Sequence, residues 1–144
     1  MLSGVGGNFF ENRIAKFVLV CYNGGGKGAC VTLNELLGET VTVTVDRPLG
    51  SRHPRFPDLL YTVNYGYIDG LVGGDGEWQD AYILGVSEPI SVFSGRIIAI
   101  IHRTDDVEDK LVVAPDGMTF TREQVIEQTY FQERYFNGTV KAII

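Results

Sequence analysis

Gly95-Arg96-Ile97-Ile98-Ala99-Ile100-Ile101-His102 is a short run of β-branched residues, and it sets the reading of the whole chain. A run of this length and composition reads as a buried strand rather than a helix. Ala81 to Val86 precedes it and has the same character, and Leu111-Val112-Val113-Ala114 follows and stops at Pro115. Upstream, Val41-Thr42-Val43-Thr44-Val45 alternates at period two, as a half-buried strand does. Leu59 to Ile68 is rich in aromatic residues and reads as extended, while Thr139 to Ile144 reads as a last edge strand. Thr121 with Gln124 three residues later is a capping box that opens a helix, and Asn137-Gly138 ends it. Thr32 to Gly38 reads as a short helical turn closed by glycine. Several short strands at close spacing and one late helix predict a mainly β (α+β) fold. The expected form is a small closed or nearly closed antiparallel barrel with a helix packed on it.

Two loops separate these runs. Asp46 to Pro57 holds three prolines and three arginines, which makes a stiff connection. Asp69 to Gln79 carries Gly70, Gly73, Gly74 and Gly76 and reads as a turn or loop.

The chain has 144 residues, a length that fits one domain. At 44% hydrophobic it is too apolar for a disordered chain, and no stretch approaches the roughly 18 apolar residues that span a bilayer. Two cysteines, without a CxxC or a Cys/His cluster, point to neither a disulfide framework nor zinc. The expectation is a soluble cytoplasmic protein with no membrane partner. A net charge of −6 argues against nucleic acid, whose binders present a basic face to the phosphates.

Residues 1–30 differ from the rest. Gly24-Gly25-Gly26-Lys27-Gly28 is not a phosphate-binding loop, because Cys21 stands where the first glycine is required and Gly28 follows the lysine. Codons for Gly-Gly-Gly-Lys are purine-rich, as a ribosome-binding site is, so Val31 is a candidate natural start. Residues 1–30 are accordingly expected to be a disordered or non-native leader, with a single barrel domain over 31–144.

The acidity is concentrated. Asp69 to Asp109 contains nine acids against two bases, a local charge of −7 that exceeds the net charge of the chain. Solvated acidic loops would give this clustering, and so would carboxylates gathered around hard cations. Asp75-Gly76-Glu77-Trp78-Gln79-Asp80 leads straight into a strand, where a curling loop lets its carboxylates converge on one point. Mg²⁺ takes hard oxygen ligands of this kind, with water and phosphate oxygens filling the octahedron. Asp105-Asp106-Val107-Glu108-Asp109-Lys110 places four more carboxylates beside a cation between two strands. Such carboxylates repel one another unless a metal or a base neutralises them.

Four blocks then follow in order: Val63-Asn64-Tyr65-Gly66-Tyr67-Ile68, Asp75-Gly76-Glu77-Trp78-Gln79-Asp80, Gly95-Arg96-Ile97-Ile98-Ala99, and Glu108-Asp109-Lys110-Leu111-Val112-Val113-Ala114-Pro115. In this order and spacing the chain resembles the soluble family I inorganic pyrophosphatases, from about Val41 to Phe136. The resemblance implies an OB-type five-stranded barrel with one C-terminal helix. It also implies hydrolysis of pyrophosphate to two phosphates with several Mg²⁺ ions and, since members generally assemble, a homo-oligomer. Carried over, Asp75 and Asp80 match metal ligands. Glu108 or Asp109, and Asp105 or Asp106, match two more. Glu77 stands where the family has the aspartate that positions water. Lys110, Tyr65 and Tyr135 match groups facing phosphate. A hairpin bearing a lysine, a glutamate and an arginine is replaced by Arg52 to Asp58, and Arg47, Arg52 and Arg55 are candidate substitute phosphate donors, with solvated loop cations as the other reading. Phe136 stands where a lysine usually follows the helix tyrosine. These departures make a catalytically weak relative, binding metal and a phosphate compound without efficient turnover, the alternative reading. An OB-type module for nucleic acid or sugar is disfavoured by the acidic face.

Overall fold

The computed structural model describes residues 19–22, 29–105 and 108–144. Its strands are β1 (Leu19–Tyr22), β2 (Ala29–Thr32), β3 (Thr40–Arg47), β4 (Asn64–Val72), β5 (Trp78–Ile83), β6 (Val92–Arg103), β7 (Lys110–Ala114) and β8 (Gly138–Ile143). A 3₁₀ turn, Leu33–Leu36, lies between β2 and β3, and one helix, α1 (Arg122–Glu133), between β7 and β8.

Five of these strands close a barrel. β3 pairs with β4, β4 with β5, β5 with β7, β7 with β6, and β6 returns to β3. The barrel and its C-terminal helix match the OB-type architecture expected from the sequence. One expectation is corrected: the barrel is mixed, because β5 and β7 run parallel, with Tyr82 beside Val112. β8 adds to β6 as an edge strand, and β1 joins β4 through Cys21 and Tyr22, carrying β2 with it. Residues 19–22 and 29–30, within the expected leader, therefore lie in strands of the sheet. Residues 1–18 and 23–28, including the Gly24–Gly28 run, lie outside the described residues.

Strand alternation sorts the apolar side chains into two cores. Val43, Ile68, Ala81, Ile83, Ile97, Ile100, Leu111 and Val113 come from all five barrel strands and fill the interior. Their neighbours in the strands, among them Tyr65, Tyr82, Ile98, Ala99 and Val112, face outward and are covered by Val125 of α1 and Val140 of β8. Burying each such side chain contributes roughly 1.5–3 kcal/mol. Gly66 is required where β3 crosses β4, since a Cβ there would sit 1.9 Å from the Thr44 carbonyl oxygen. The helix starts as the sequence predicts: Thr121 Oγ1 accepts the Gln124 amide at 3.1 Å, and Gln124 Oε1 accepts the Thr121 amide at 2.8 Å. Among the described residues no helix is long and apolar enough to cross a membrane.

Candidate active site

The outward side chains of β4, β5 and β7 meet under the C-terminal end of α1 and form the wall of a cleft of about 730 Å³. Period-two alternation puts Asp80 and Tyr82 of β5 on this side and sends Gln79, Ala81 and Ile83 away from it. The same rule separates the acids before β7. Glu108 shares the face of Lys110, whereas Asp109 turns to the other side, where its Oδ1 lies 2.9 Å from His102 Nδ1 and its Oδ2 3.8 Å from Lys141 Nζ. Of the two alternatives left open by the sequence, Glu108 is the one that joins Lys110 and Asp80.

The centre of the site is the Lys110 ammonium. It donates to Asp80 Oδ2 at 2.7 Å and to Glu108 Oε2 at 2.8 Å, and it lies 5.9 Å from the centre of the Tyr65 ring. Lys110 is 4% exposed and Glu108 5%. Burial pushes the Glu108 carboxyl up to about 7 in spite of the ammonium, and the negative charges of Asp80 and Asp75 push in the same direction. Its other oxygen, Oε1, is buried with no hydrogen-bond partner among the described residues. A buried, partnerless carboxylate oxygen costs free energy that an incoming cation would recover. Burial, with Asp80 nearby, holds the Tyr65 hydroxyl well above its ordinary pKa, so it stays a proton donor.

Asp75 and Glu77 occupy the exposed turn that leads into β5. Gly76, at φ +86°, lets the turn close, and the Glu77 amide donates to Asp75 Oδ1 at 2.9 Å. Asp105 is exposed at the far end of β6, and its Oδ2 accepts the Asn137 amide at 3.0 Å, tying the β6–β7 loop to the chain after α1. Asp106 lies outside the described residues. Tyr135 is on the rim of the cleft and 61% exposed. Arg52 and Arg55 are exposed and do not line the cleft. Arg52 Nη1 donates to the Pro57 carbonyl at 2.8 Å, and the Arg55 amide donates to His53 Nδ1 at 3.0 Å.

Two other arginines line the cleft instead. Arg47 ends β3 at a bulge and pairs with Asp46, whose carboxyl burial holds above its ordinary range. Arg103 ends β6, almost fully buried, with Nη2 2.6 Å and Nε 3.1 Å from the Glu133 carboxylate. Its guanidinium lies 3.6 Å from the centre of the Phe136 ring. Glu133 also accepts from the Tyr82 hydroxyl at 2.5 Å, and Gln132 bridges Tyr82 to Tyr61 with two bonds of 2.8 Å. This buried network fixes α1 to the barrel and holds the Arg103 cation against the Phe136 ring. Arg47 was among the candidate donors of the sequence, and strand-end position is the signal that would have found Arg103 as well, since each is the last residue of its strand.

The fold and the acids leave the identity to the comparisons. No family model matches the chain. The inorganic pyrophosphatase of Corynebacterium glutamicum is 30% identical over 106 residues, covering 60% of this chain and 67% of that protein. The chain belongs to the inorganic pyrophosphatase family. The inorganic pyrophosphatase of Corynebacterium efficiens is likewise 30% identical, over 109 residues, with the same coverage. Among solved structures, the inorganic pyrophosphatase from Neisseria gonorrhoeae superimposes with a TM-score of 0.56 over 76% of this chain and 88% of that one, at 17% identity. The Coxiella burnetii inorganic pyrophosphatase gives 0.55 over 74% and 86%, at 15% identity. For this pyrophosphatase-family chain those two likenesses establish the fold.

A divalent metal fits the residues present. Among the described residues no three His, Cys, Asp or Glu side chains are grouped closely enough to hold a metal by themselves. Mg²⁺ bound for phosphate chemistry needs fewer, since one or two carboxylates commonly hold it while water and substrate oxygens complete the octahedron. Asp80, together with the partnerless Glu108 Oε1, provides such a pair.

Proposed function

We propose that this chain hydrolyses inorganic pyrophosphate to two phosphates in the cytoplasm, with several Mg²⁺ ions. The observation that carries the reading is the Asp80–Lys110–Glu108 group beside Tyr65, with Lys110 and Glu108 buried, opening on a cleft that also holds Arg47 and Arg103. Membership of the pyrophosphatase family supports it. Asp80 and Glu108 would hold metal, with Asp75 close enough for its charge to be felt at Glu108. Asp105 remains a candidate ligand on the same loop. The metal would neutralise the tetra-anionic substrate and lower the pKa of a bound water.

The chain's own groups do the rest. Glu77 orients the attacking water from the Asp75–Glu77 turn. Lys110 donates to a phosphate oxygen, and a metal held by Asp80 and Glu108 would take over part of its contact with those carboxylates. Tyr65, kept protonated by burial, donates to the leaving phosphate. Tyr135 reaches phosphate from the rim, and Arg47 and Arg103 stabilise the charge that builds on the leaving group. Homo-oligomeric assembly belongs to the same proposal, and Ile126 and Tyr130, exposed on α1, supply apolar surface for it.

Steady-state phosphate release from pyrophosphate tests the reading. Release should require Mg²⁺ and fall by several orders of magnitude in Asp80→Ala. Release that is unchanged by chelation or by the substitution would contradict it.

A further inference from the structure

The cleft is larger and less polar than pyrophosphate needs. Its volume of about 730 Å³ falls within the roughly 300–1,000 Å³ of clefts that bind drug-sized ligands. Pyrophosphate, with two phosphorus and seven oxygen atoms, fills only a fraction of that space. Besides its charged groups, the cleft is lined by a series of neighbouring aromatic rings. The series begins at Phe56, 61% exposed at the mouth. The His53 ring follows at 5.0 Å from Phe56 with the planes tilted 43°, and Tyr61 at 6.5 Å from His53 with the planes 16° apart. Tyr65 lies 5.5 Å from Tyr61, and the Lys110 ammonium 5.9 Å from Tyr65. An exposed aromatic side chain in a concave site usually marks a contact for a ligand, because water otherwise covers it at a cost.

His53 is built to present a flat face. Its Nδ1 accepts the backbone amides of Arg55 at 3.0 Å and Phe56 at 3.3 Å, which fixes the ring against its own loop. Desolvation, with the positive charges of Arg47 and Arg55, pushes it below its ordinary pKa, so near neutral pH it is an uncharged ring with Nε2–H as a donor. The residues that replace the expected hairpin thus bring the rings of His53 and Phe56 to the cleft rather than the Arg52 and Arg55 side chains.

We propose that the cleft accepts diphosphate esters that carry a planar ring system, with nucleoside diphosphates as the substrate class, the base stacking on Phe56 beside His53 while the terminal phosphate meets Lys110. The inference rests on the pyrophosphatase reading of the same site. In the reaction, water oxygen bonds to the terminal phosphorus and the bond from that phosphorus to the bridging oxygen breaks. The nucleoside monophosphate leaves with the bridging oxygen, and one proton passes to solvent. No other reactant is consumed.

The test measures kcat and KM for pyrophosphate, ADP and geranyl diphosphate with Mg²⁺, and ADP affinity by titration calorimetry, in the full chain and in Phe56→Ala and Phe56→Trp. Stacking on an aromatic side chain is sequence-tolerant and large enough that its loss should raise KM and Kd for ADP about tenfold. Phe56→Trp should restore both, and KM for pyrophosphate should move by less than twofold in either variant. The proposal is overturned if ADP neither binds nor turns over while pyrophosphate is cleaved. It is equally overturned if Phe56→Ala weakens both substrates alike, or if geranyl diphosphate outperforms ADP, which would assign the aromatic rings to an alkyl chain. If no substrate turns over, the hydrolytic reading has failed, and ADP affinity with its dependence on Phe56 still decides whether the cleft binds a base.

Discussion

Replacing Lys110 by Met removes one ammonium and keeps the bulk of the side chain. It leaves Glu108 facing Asp80 across the space that Nζ occupied, with oxygens that had been 2.8 and 2.7 Å from that cation. Breaking a buried ion pair by removing one partner costs about 3–5 kcal/mol when the survivor stays charged. Here the survivor has an exit, because the Glu108 carboxyl already titrates near 7 and takes up a proton once the ammonium is gone. The expected loss at pH 8 is therefore at the lower end, about 3 kcal/mol, or about 6–12 °C in Tm for a chain of this size. The pH dependence identifies the cause. A carboxyl whose folded pKa lies above its unfolded value of 4.5 binds more protons in the native state, so stability declines as pH rises from about 4.5 to 7 and levels off above. In the variant the decline extends to higher pH. At pH 5 Glu108 is protonated in both proteins, and the difference shrinks to the Asp80 contact, about 1 kcal/mol, because the Asp80 side chain is 31% exposed. Thermal melts from pH 5 to 8 in the presence of a chelator read this directly. A Tm loss equal at pH 5 and pH 8 would refute the reasoning, because it would reflect packing alone.

Other perturbations separate the parts of the site. Glu77→Asp shortens the carboxylate in the turn before β5 by one methylene and should change kcat by about tenfold. A gain is expected, as the resemblance places aspartate there, and a loss in phosphate release would show that the turn is tuned to glutamate. Arg103→Met leaves Glu133 charged and 11% exposed under α1, so it should cost about 3–5 kcal/mol in urea unfolding, most of it regained in the double variant with Glu133→Met. Gly66→Ala forces a Cβ to within 1.9 Å of the Thr44 carbonyl and should destabilise by more than about 4 kcal/mol, seen as loss of the cooperative melt.

Much of this was legible in the residues. The apolar runs around Tyr82, Ile98 and Val112 gave the barrel wall, and the Thr121–Gln124 pair gave the start of α1 to the residue. The parallel pairing of β5 with β7 was not legible, since alternation fixes which face a residue takes but not the direction of its neighbour. Alternation did contain the answer to one open choice, because continuing the phase of β7 backward puts Glu108 with Lys110 and Asp109 opposite. Arg103 escaped notice because a single base at a strand end looks like a solvated charge. Of the three loop arginines expected to face phosphate, only Arg47 lines the cleft, and closure of the barrel with docking of α1 brings Arg103 there beside it.

The Asp80–Lys110–Glu108 group is the proposed reaction centre for pyrophosphate. A ³¹P NMR time course of pyrophosphate with the full chain tests it most directly, run with Mg²⁺, with chelator, and with Asp80→Ala. The pyrophosphate signal should be replaced by inorganic phosphate only in the first sample. A pyrophosphate signal that persists there, or that decays equally in all three, would contradict it.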